Sequence, residues 1–219
     1  MIEHTIATNT HGRYLVVPPR GASAGLLLGF HGYAEGAEAQ LTRLRAIPGS
    51  DRWTLVAIQG LHRFYQRRTN EVIASWMTRQ DRELAIADNL AYVGRVLDVV
   101  SGEKADISRL VFAGFSQGVA MAFRAACATN RRVDAVIAVG GDVPPEIEPA
   151  SLARIHAALV CRGAKDEWYT DEKFQHDVTR LRRAGASVHA VAFAGGHEWS
   201  APVLEAASAF LQHLEESRR

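Results

Sequence analysis

Gly114-Phe115-Ser116-Gln117-Gly118 decides how this chain is read. The stretch stands where an apolar run, Leu110-Val111-Phe112-Ala113, gives way to one of helical character, Val119-Ala120-Met121-Ala122-Phe123. A strand, a tight turn and a helix around Gly-x-Ser-x-Gly describe an elbow that pushes the serine hydroxyl outward. The glycines are required on steric grounds, because a Cβ two residues to either side of Ser116 would meet neighbouring backbone. The pentapeptide alone is weak; its weight comes from two partners further along the chain.

Those two residues complete the pattern. Asp166 lies just past the apolar run Ala158-Leu159-Val160-Cys161, and His197 comes after Val188 to Phe193 through Ala194-Gly195-Gly196. Each sits in a loop at the carboxyl end of an expected strand, as Ser116 does. In an open parallel sheet those ends lie along one edge, where reacting groups converge. The order Ser, Asp, His is that of the α/β-hydrolases. Glu167 and Asp171 are close enough to stand in for Asp166, which is the first carboxylate after its strand. His189 competes with His197 but falls inside a strand.

The chain resembles the α/β-hydrolase superfamily, and within it the phospholipase/carboxylesterase group that includes acyl-protein thioesterases. Gly-Phe-Ser-Gln-Gly matches that group's elbow, Leu27-Leu28-Gly29-Phe30-His31-Gly32-Tyr33 its His-Gly oxyanion loop, and Gly195-Gly196-His197 its histidine loop. The likeness runs from about Leu26 to the C-terminus. It departs at Tyr33-Ala34-Glu35-Gly36, where thioesterase-like members carry a glycine-containing stretch with Asp.

Composition agrees. The 219 residues are 47% hydrophobic, enough to cover a sheet on both faces as one domain spanning 1–219. A formal net charge of +1 gives no electrostatic reason to expect nucleic acid. No basic segment followed by a long apolar one opens the chain and no apolar run spans a bilayer, so a cytoplasmic location is expected. The two cysteines, Cys127 and Cys161, have neither metal spacing nor a paired framework and are expected free and buried. No zinc-protease pattern surrounds His197-Glu198, and the elbow lacks the lysine of a phosphate loop. No metal or cofactor is expected.

Strands and helices alternate. Thr5–Ala7 and Tyr14–Val17 read as an antiparallel N-terminal hairpin around Asn9-Thr10-His11-Gly12. Leu26–Phe30, Leu55–Ile58, Leu110–Ala113, Ala135–Val139, Leu159–Cys161 and Val188–Phe193 read as strands. Helices are expected around Leu41 to Ile47, from Asp81 to about Ser101, after the elbow, from Thr170 to Gly185 and from Ser200 onward. The fold expected is α/β-hydrolase: a mainly parallel sheet with helices on both faces and no large cap, since only Asp142 to about Ala157 joins two strands where a lid is often inserted. Gln59–Arg82 lacks periodicity and reads as a long loop with Phe64, Tyr65, Trp76 and five arginines, either a wall of the substrate pocket or a stretch packed on the surface with its arginines solvated.

Ser116 is expected as nucleophile, His197 as general base and acid, and Asp166 as the group that orients the imidazole. The N–H of Gln117, the residue after the nucleophile, is one oxyanion donor. The resemblance assigns the other to the Tyr33 N–H. His31 is expected to shape the oxyanion loop through hydrogen bonds rather than act as a base. Phe64, Tyr65, Trp76, Trp168 and Trp199 are candidates for the substrate pocket. The expected activity is a serine carboxylesterase on small soluble esters, with a thioesterase as the alternative and a non-catalytic ligand-binding protein on the same fold as the rival class. Partners are then a small-molecule ester or thioester; self-association as a homodimer is left open.

Overall fold

Apolar runs too short for helices, each bounded by polar or turn residues, form the strands here because both of their faces find cover. The computed structural model describes residues 1–102 and 108–216. Its elements are β1 (Arg13–Val17), β2 (Leu26–Phe30), α1 (Ala37–Ala46), β3 (Thr54–Gln59), β4 (His62–Tyr65), β5 (Val72–Ser75), α2 (Arg82–Gly102) and β6 (Leu110–Phe115). After these come α3 (Gln117–Ala128), β7 (Ala135–Val139), α4 (Pro149–Leu152), β8 (Ala157–Gly163), α5 (Asp171–Arg183), β9 (Ser187–Phe193) and α6 (Ala201–Glu216). Among the described residues a seven-stranded sheet has the order β1-β3-β2-β6-β7-β8-β9. All its pairings are parallel except that of β1 with β3.

Side chains alternate between the two faces, so each strand contributes to two cores. Leu26, Leu28, Phe30, Val56, Phe112 and Val136 face one layer, where α2 brings Val93 and Val96, α3 Phe123 and α5 Val178. Leu27, Leu55, Val111, Ile137 and Leu159 face the other, against Leu44 of α1 and Val203, Ala207 and Phe210 of α6. Each large aliphatic side chain so buried stabilises the fold by about 2 kcal/mol. The helices stop where their chemistry tells them to. Thr170 accepts the Lys173 N–H at the start of α5, Asp171 and Glu172 fill its first turn, and Gly185, at φ 96°, lies just beyond its end.

Two expectations need correction. The antiparallel element at the N-terminal edge is present, but the partner of β1 is β3, with Tyr14 opposite Ile58. Thr5–Ala7 forms no strand; its one large apolar side chain, Ile6, stays in solvent. Gln59–Arg82 is no featureless loop, since β4 and β5 pair as a hairpin with Phe64 opposite Ile73. Its turn is closed by Asn70, which takes φ 57° and donates its N–H to the Gln66 carbonyl. Asparagine tolerates that left-handed conformation better than most residues. Finally, the connection from β7 to β8 contains a helix of just four residues, α4, so no lid covers the carboxyl edge of the sheet there.

Candidate active site

Ser116 stands between the end of β6 and the first turn of α3 with φ 52° and ψ −120°. A non-glycine residue holds such a backbone only where its surroundings force it, at a cost of about 1–3 kcal/mol. The Ser116 N–H donates to the Val139 carbonyl at 2.9 Å, and its own carbonyl accepts the Val119 N–H at 3.0 Å. A Cβ on Gly118 would stand 2.1 Å from the Phe30 carbonyl oxygen, and one on Gly114 2.6 Å from the Gly118 oxygen. The elbow glycines therefore let α3 dock against β2 and β6, as steric reasoning expects.

Asp166 and His197 meet across the ends of β8 and β9. Asp166 Oδ2 lies 2.8 Å from His197 Nδ1. Its other oxygen accepts the N–H groups of Trp168 and Tyr169, both at 2.9 Å. Two bonds from its own loop and one to the histidine hold the buried carboxylate in one orientation. Of the alternatives, Glu167 is exposed, Asp171 faces Arg162, and His189 stacks edge-on against Phe210. The Gly140–Gly141 turn after β7 joins the two halves of the site. A Cβ on Gly140 would come within 3.2 Å of the His197 ring, and one on Gly141 within 2.3 Å of the Ser116 carbonyl oxygen. Phe115 also lies against His197, ring centroids 5.1 Å apart.

A second tier of bonds fixes these loops. The Tyr169 hydroxyl and the Val143 N–H both donate to Asp177 Oδ2 on α5, at 3.1 and 2.9 Å. Arg180, one turn on, donates to the carbonyls of Val143, Pro144 and Ile147. One helix thus ties the acid loop to the segment beyond Gly140–Gly141. Burial pushes the Asp177 carboxyl above its ordinary range. Sequence reading does not single out Asp177 or the glycine pair. Two glycines directly after an apolar strand were the available signal for the latter.

The loop from His31 to Glu35 is held just as firmly. His31 is fully buried, stacks on Trp76 with centroids 5.0 Å apart, and accepts the Gly60 N–H on Nε2 at 2.9 Å. Nδ1 therefore carries the proton and donates to the Gly32 carbonyl at 2.6 Å. Burial pulls the imidazole below its ordinary pKa, which keeps it neutral. Gln117 accepts from Ser75 and the Trp76 N–H and donates to Met77, so the start of α3 is clamped to the end of the hairpin. Tyr33 is exposed, its ring beside Phe64 at 5.9 Å.

The candidate pocket residues divide. Phe64, Tyr65 and Trp168 are exposed, and Trp199 is half-buried next to the histidine loop. Trp76 is not at the rim: it is fully buried, donating Nε1–H to the His31 carbonyl, and its work is to pack beneath the loop. A cleft of about 750 Å³ opens beside Ala34–Gly36 and the hairpin, where Arg13 pairs with Glu38. Cys127 and Cys161 are free; burial pushes their thiols up to about 11 and about 12. Cys161 is buried as expected, whereas Cys127 is partly exposed. Among the described residues no cluster of three or more His, Cys, Asp or Glu could hold a metal ion, and no helix is long and apolar enough to cross a membrane.

A phospholipase/carboxylesterase family model matches residues 11–215. The chain belongs to that family. It is a family of ester and thioester hydrolases on the α/β-hydrolase fold. Among solved structures, a carboxylesterase from Mesorhizobium loti superposes with TM-score 0.76 at 21% identity, covering 95% of this chain and 98% of that one. Zea mays acyl-protein thioesterase 2 superposes with TM-score 0.74 at 19% identity, covering 94% and 100%. The Bacillus cereus carboxylesterase gives 0.73 at 15% identity, covering 94% and 96%. Identities this low establish a shared fold and nothing finer. A search of curated protein sequences finds no match.

Proposed function

We propose that the chain, acting as one domain over residues 1–219, is a serine carboxylesterase that hydrolyses small soluble esters through an acyl-enzyme on Ser116. The observation that carries this reading is the 2.8 Å contact of His197 Nδ1 with the buried Asp166, on the same sheet edge as the strained Ser116. With Nδ1 bound to the carboxylate, Nε2 is left to take the Ser116 proton as Oγ attacks the ester carbonyl. The oxyanion forms toward the N–H groups of Gln117 and Tyr33, each donor contributing about 3 kcal/mol in the transition state. His197 then returns the proton to the departing alcohol, and water repeats the sequence to release the acid. Neither step calls for a metal or a cofactor.

The short connection after β7 supports soluble rather than aggregated substrates, because nothing there forms a cover that an interface would open. The same chemistry serves a thiolate leaving group, and the fold shared with Zea mays acyl-protein thioesterase 2 keeps thioesters as the second reading. The test is hydrolysis of p-nitrophenyl acetate and of a matched thioester, with and without a serine-directed organophosphate. Ser116→Ala should lower kcat by about 10⁴-fold or more in a folded protein, as should His197→Ala, and the double variant should lose little beyond either. Turnover by Ser116→Ala within tenfold of wild type would overturn the assignment.

A further inference from the structure

Between His31 and α1 the chain reads Gly32-Tyr33-Ala34-Glu35-Gly36, and Glu35 turns back on its own loop. Its Oε2 accepts the Gly32 N–H at 2.7 Å. Arg43, two turns along on α1, grips both oxygens, Nη1 to Oε2 at 2.6 Å and Nη2 to Oε1 at 2.5 Å. On the far side of Tyr33 the backbone is fixed again: Ala34 takes φ 59°, its N–H donates to Ala74 of β5, and Ala74 donates back to Glu35. Tyr33 therefore hangs between two anchors, one of them the Glu35 carboxylate. The guanidinium does more than hold Glu35. It stacks 4.2 Å above the Phe115 ring, whose centroid is 5.1 Å from that of His197. Gly32 is wedged into the same stack, and a Cβ there would stand 3.0 Å from Glu35 Oε2 and 3.1 Å from Phe115.

Resting on the assignment of Ser116 as nucleophile and His197 as its base, we propose that Glu35 is the positioning residue of the oxyanion loop and that its pairing with Arg43 also sets the charge felt by His197. A bidentate pair is close to neutral at a distance. Removing either partner leaves the other charge one aromatic ring away from an imidazole that must become cationic in the transition state. Burial alone raises the Glu35 carboxyl, but Arg43 and the Gly32 N–H outweigh it and keep it ionised at neutral pH. The other charged groups on the segments that meet at His197 are Asp166, in contact with it, Lys165 and Glu167 next to Asp166 in the chain, Glu198 next to His197, and Asp142, paired with Lys173, after the Gly140–Gly141 turn. None of these is altered by substitution at Glu35 or Arg43.

The experiment is a set of pH–rate profiles on p-nitrophenyl acetate for Glu35→Ala, Glu35→Gln, Arg43→Met and the Glu35→Gln/Arg43→Met double variant, with Ser116→Ala as control. Glu35→Ala should lower kcat by about 10- to 100-fold with KM little changed, because a displaced donor acts in the transition state. Glu35→Gln keeps an acceptor for the Gly32 N–H and should recover most of that loss. The acid limb of kcat/KM should move to lower pH in Glu35→Gln and to higher pH in Arg43→Met, each by about half a pH unit, and return in the double variant. Should Glu35→Ala fail to fold, the opposed shifts of the other two carry the test. A kcat for Glu35→Ala within threefold of wild type, or profiles of both charge variants superimposable on wild type, overturns the proposal while Ser116→Ala stays inactive. An active Ser116→Ala overturns instead the assignment on which it rests.

Discussion

Replacing Ser116 by two different small residues separates its chemistry from its conformation. Both Ser116→Ala and Ser116→Gly remove the hydroxyl, but only glycine relieves a backbone held at φ 52°. Ser116→Gly should be more stable than Ser116→Ala by about 1 kcal/mol, the strain relieved less the entropy that glycine costs, measured as a difference in urea midpoint. Equal midpoints would mean an unstrained elbow. His31 makes a second residue-scale case. Burial lowers its pKa in the folded protein relative to 6.5, so below that pH the unfolded chain binds the proton more readily. Stability from this group is fully present above pH 6.5 and is lost as pH falls toward the folded value. The urea midpoint of wild type should therefore drop between pH 7 and pH 5 by more than that of His31→Gln, and equal drops would contradict the assignment.

Elements show where a linear reading succeeds and where it stops. Strands β2, β6, β7 and β8 were legible because, buried on both faces, they are uninterrupted apolar runs between turn signals. The three triad candidates were proposed for a related reason, each following an apolar run within a few residues, although β9, the strand before His197, is largely exposed. The β4–β5 hairpin was not legible, because all four residues of β4 are exposed and show no inward period, and its turn rests on Asn70 rather than glycine. Trp76 was misplaced because an aromatic in an unstructured-looking stretch carries no sign of which side of a loop it packs under. The Glu35–Arg43 and Asp177–Tyr169 contacts join a loop to a helix in ways that obey no period. Gly141 illustrates the same limit, and it gives a test at this scale. Gly141→Ala should cost at least about 2 kcal/mol of stability and lower kcat more than a hundredfold, since the new methyl would press on the Ser116 carbonyl from 2.3 Å. Wild-type turnover in that variant would show the turn to be remote from the nucleophile.

For the whole molecule the decisive property is the carboxyl edge of the sheet, where among the described residues the connection after β7 is short. All three triad candidates open from the carboxyl ends of β6, β8 and β9, and the connection from β7 to β8, where a cover could be inserted, has no helix longer than the four residues of α4. Hydrolysis should rise smoothly with the concentration of a sparingly soluble ester, and short acyl esters should turn over faster than long-chain triglycerides. A jump in rate at the solubility limit would reveal a mobile cover supplied by some other segment.

The position of β9 has a consequence for how the protein fails. It is the outermost strand on its side, paired within the described sheet to β8 alone, and most of its residues are exposed. His197 is carried on the loop that leaves it. Edge elements with few buried contacts open at lower free energy than the core they border. The loop that carries the histidine should thus part from Asp166 while most of the two cores and the elbow persist. On gradual heating, esterase activity should vanish several degrees before the near-ultraviolet circular dichroism of the buried Trp53 and Trp76 changes, and cooling from that interval should restore it in full.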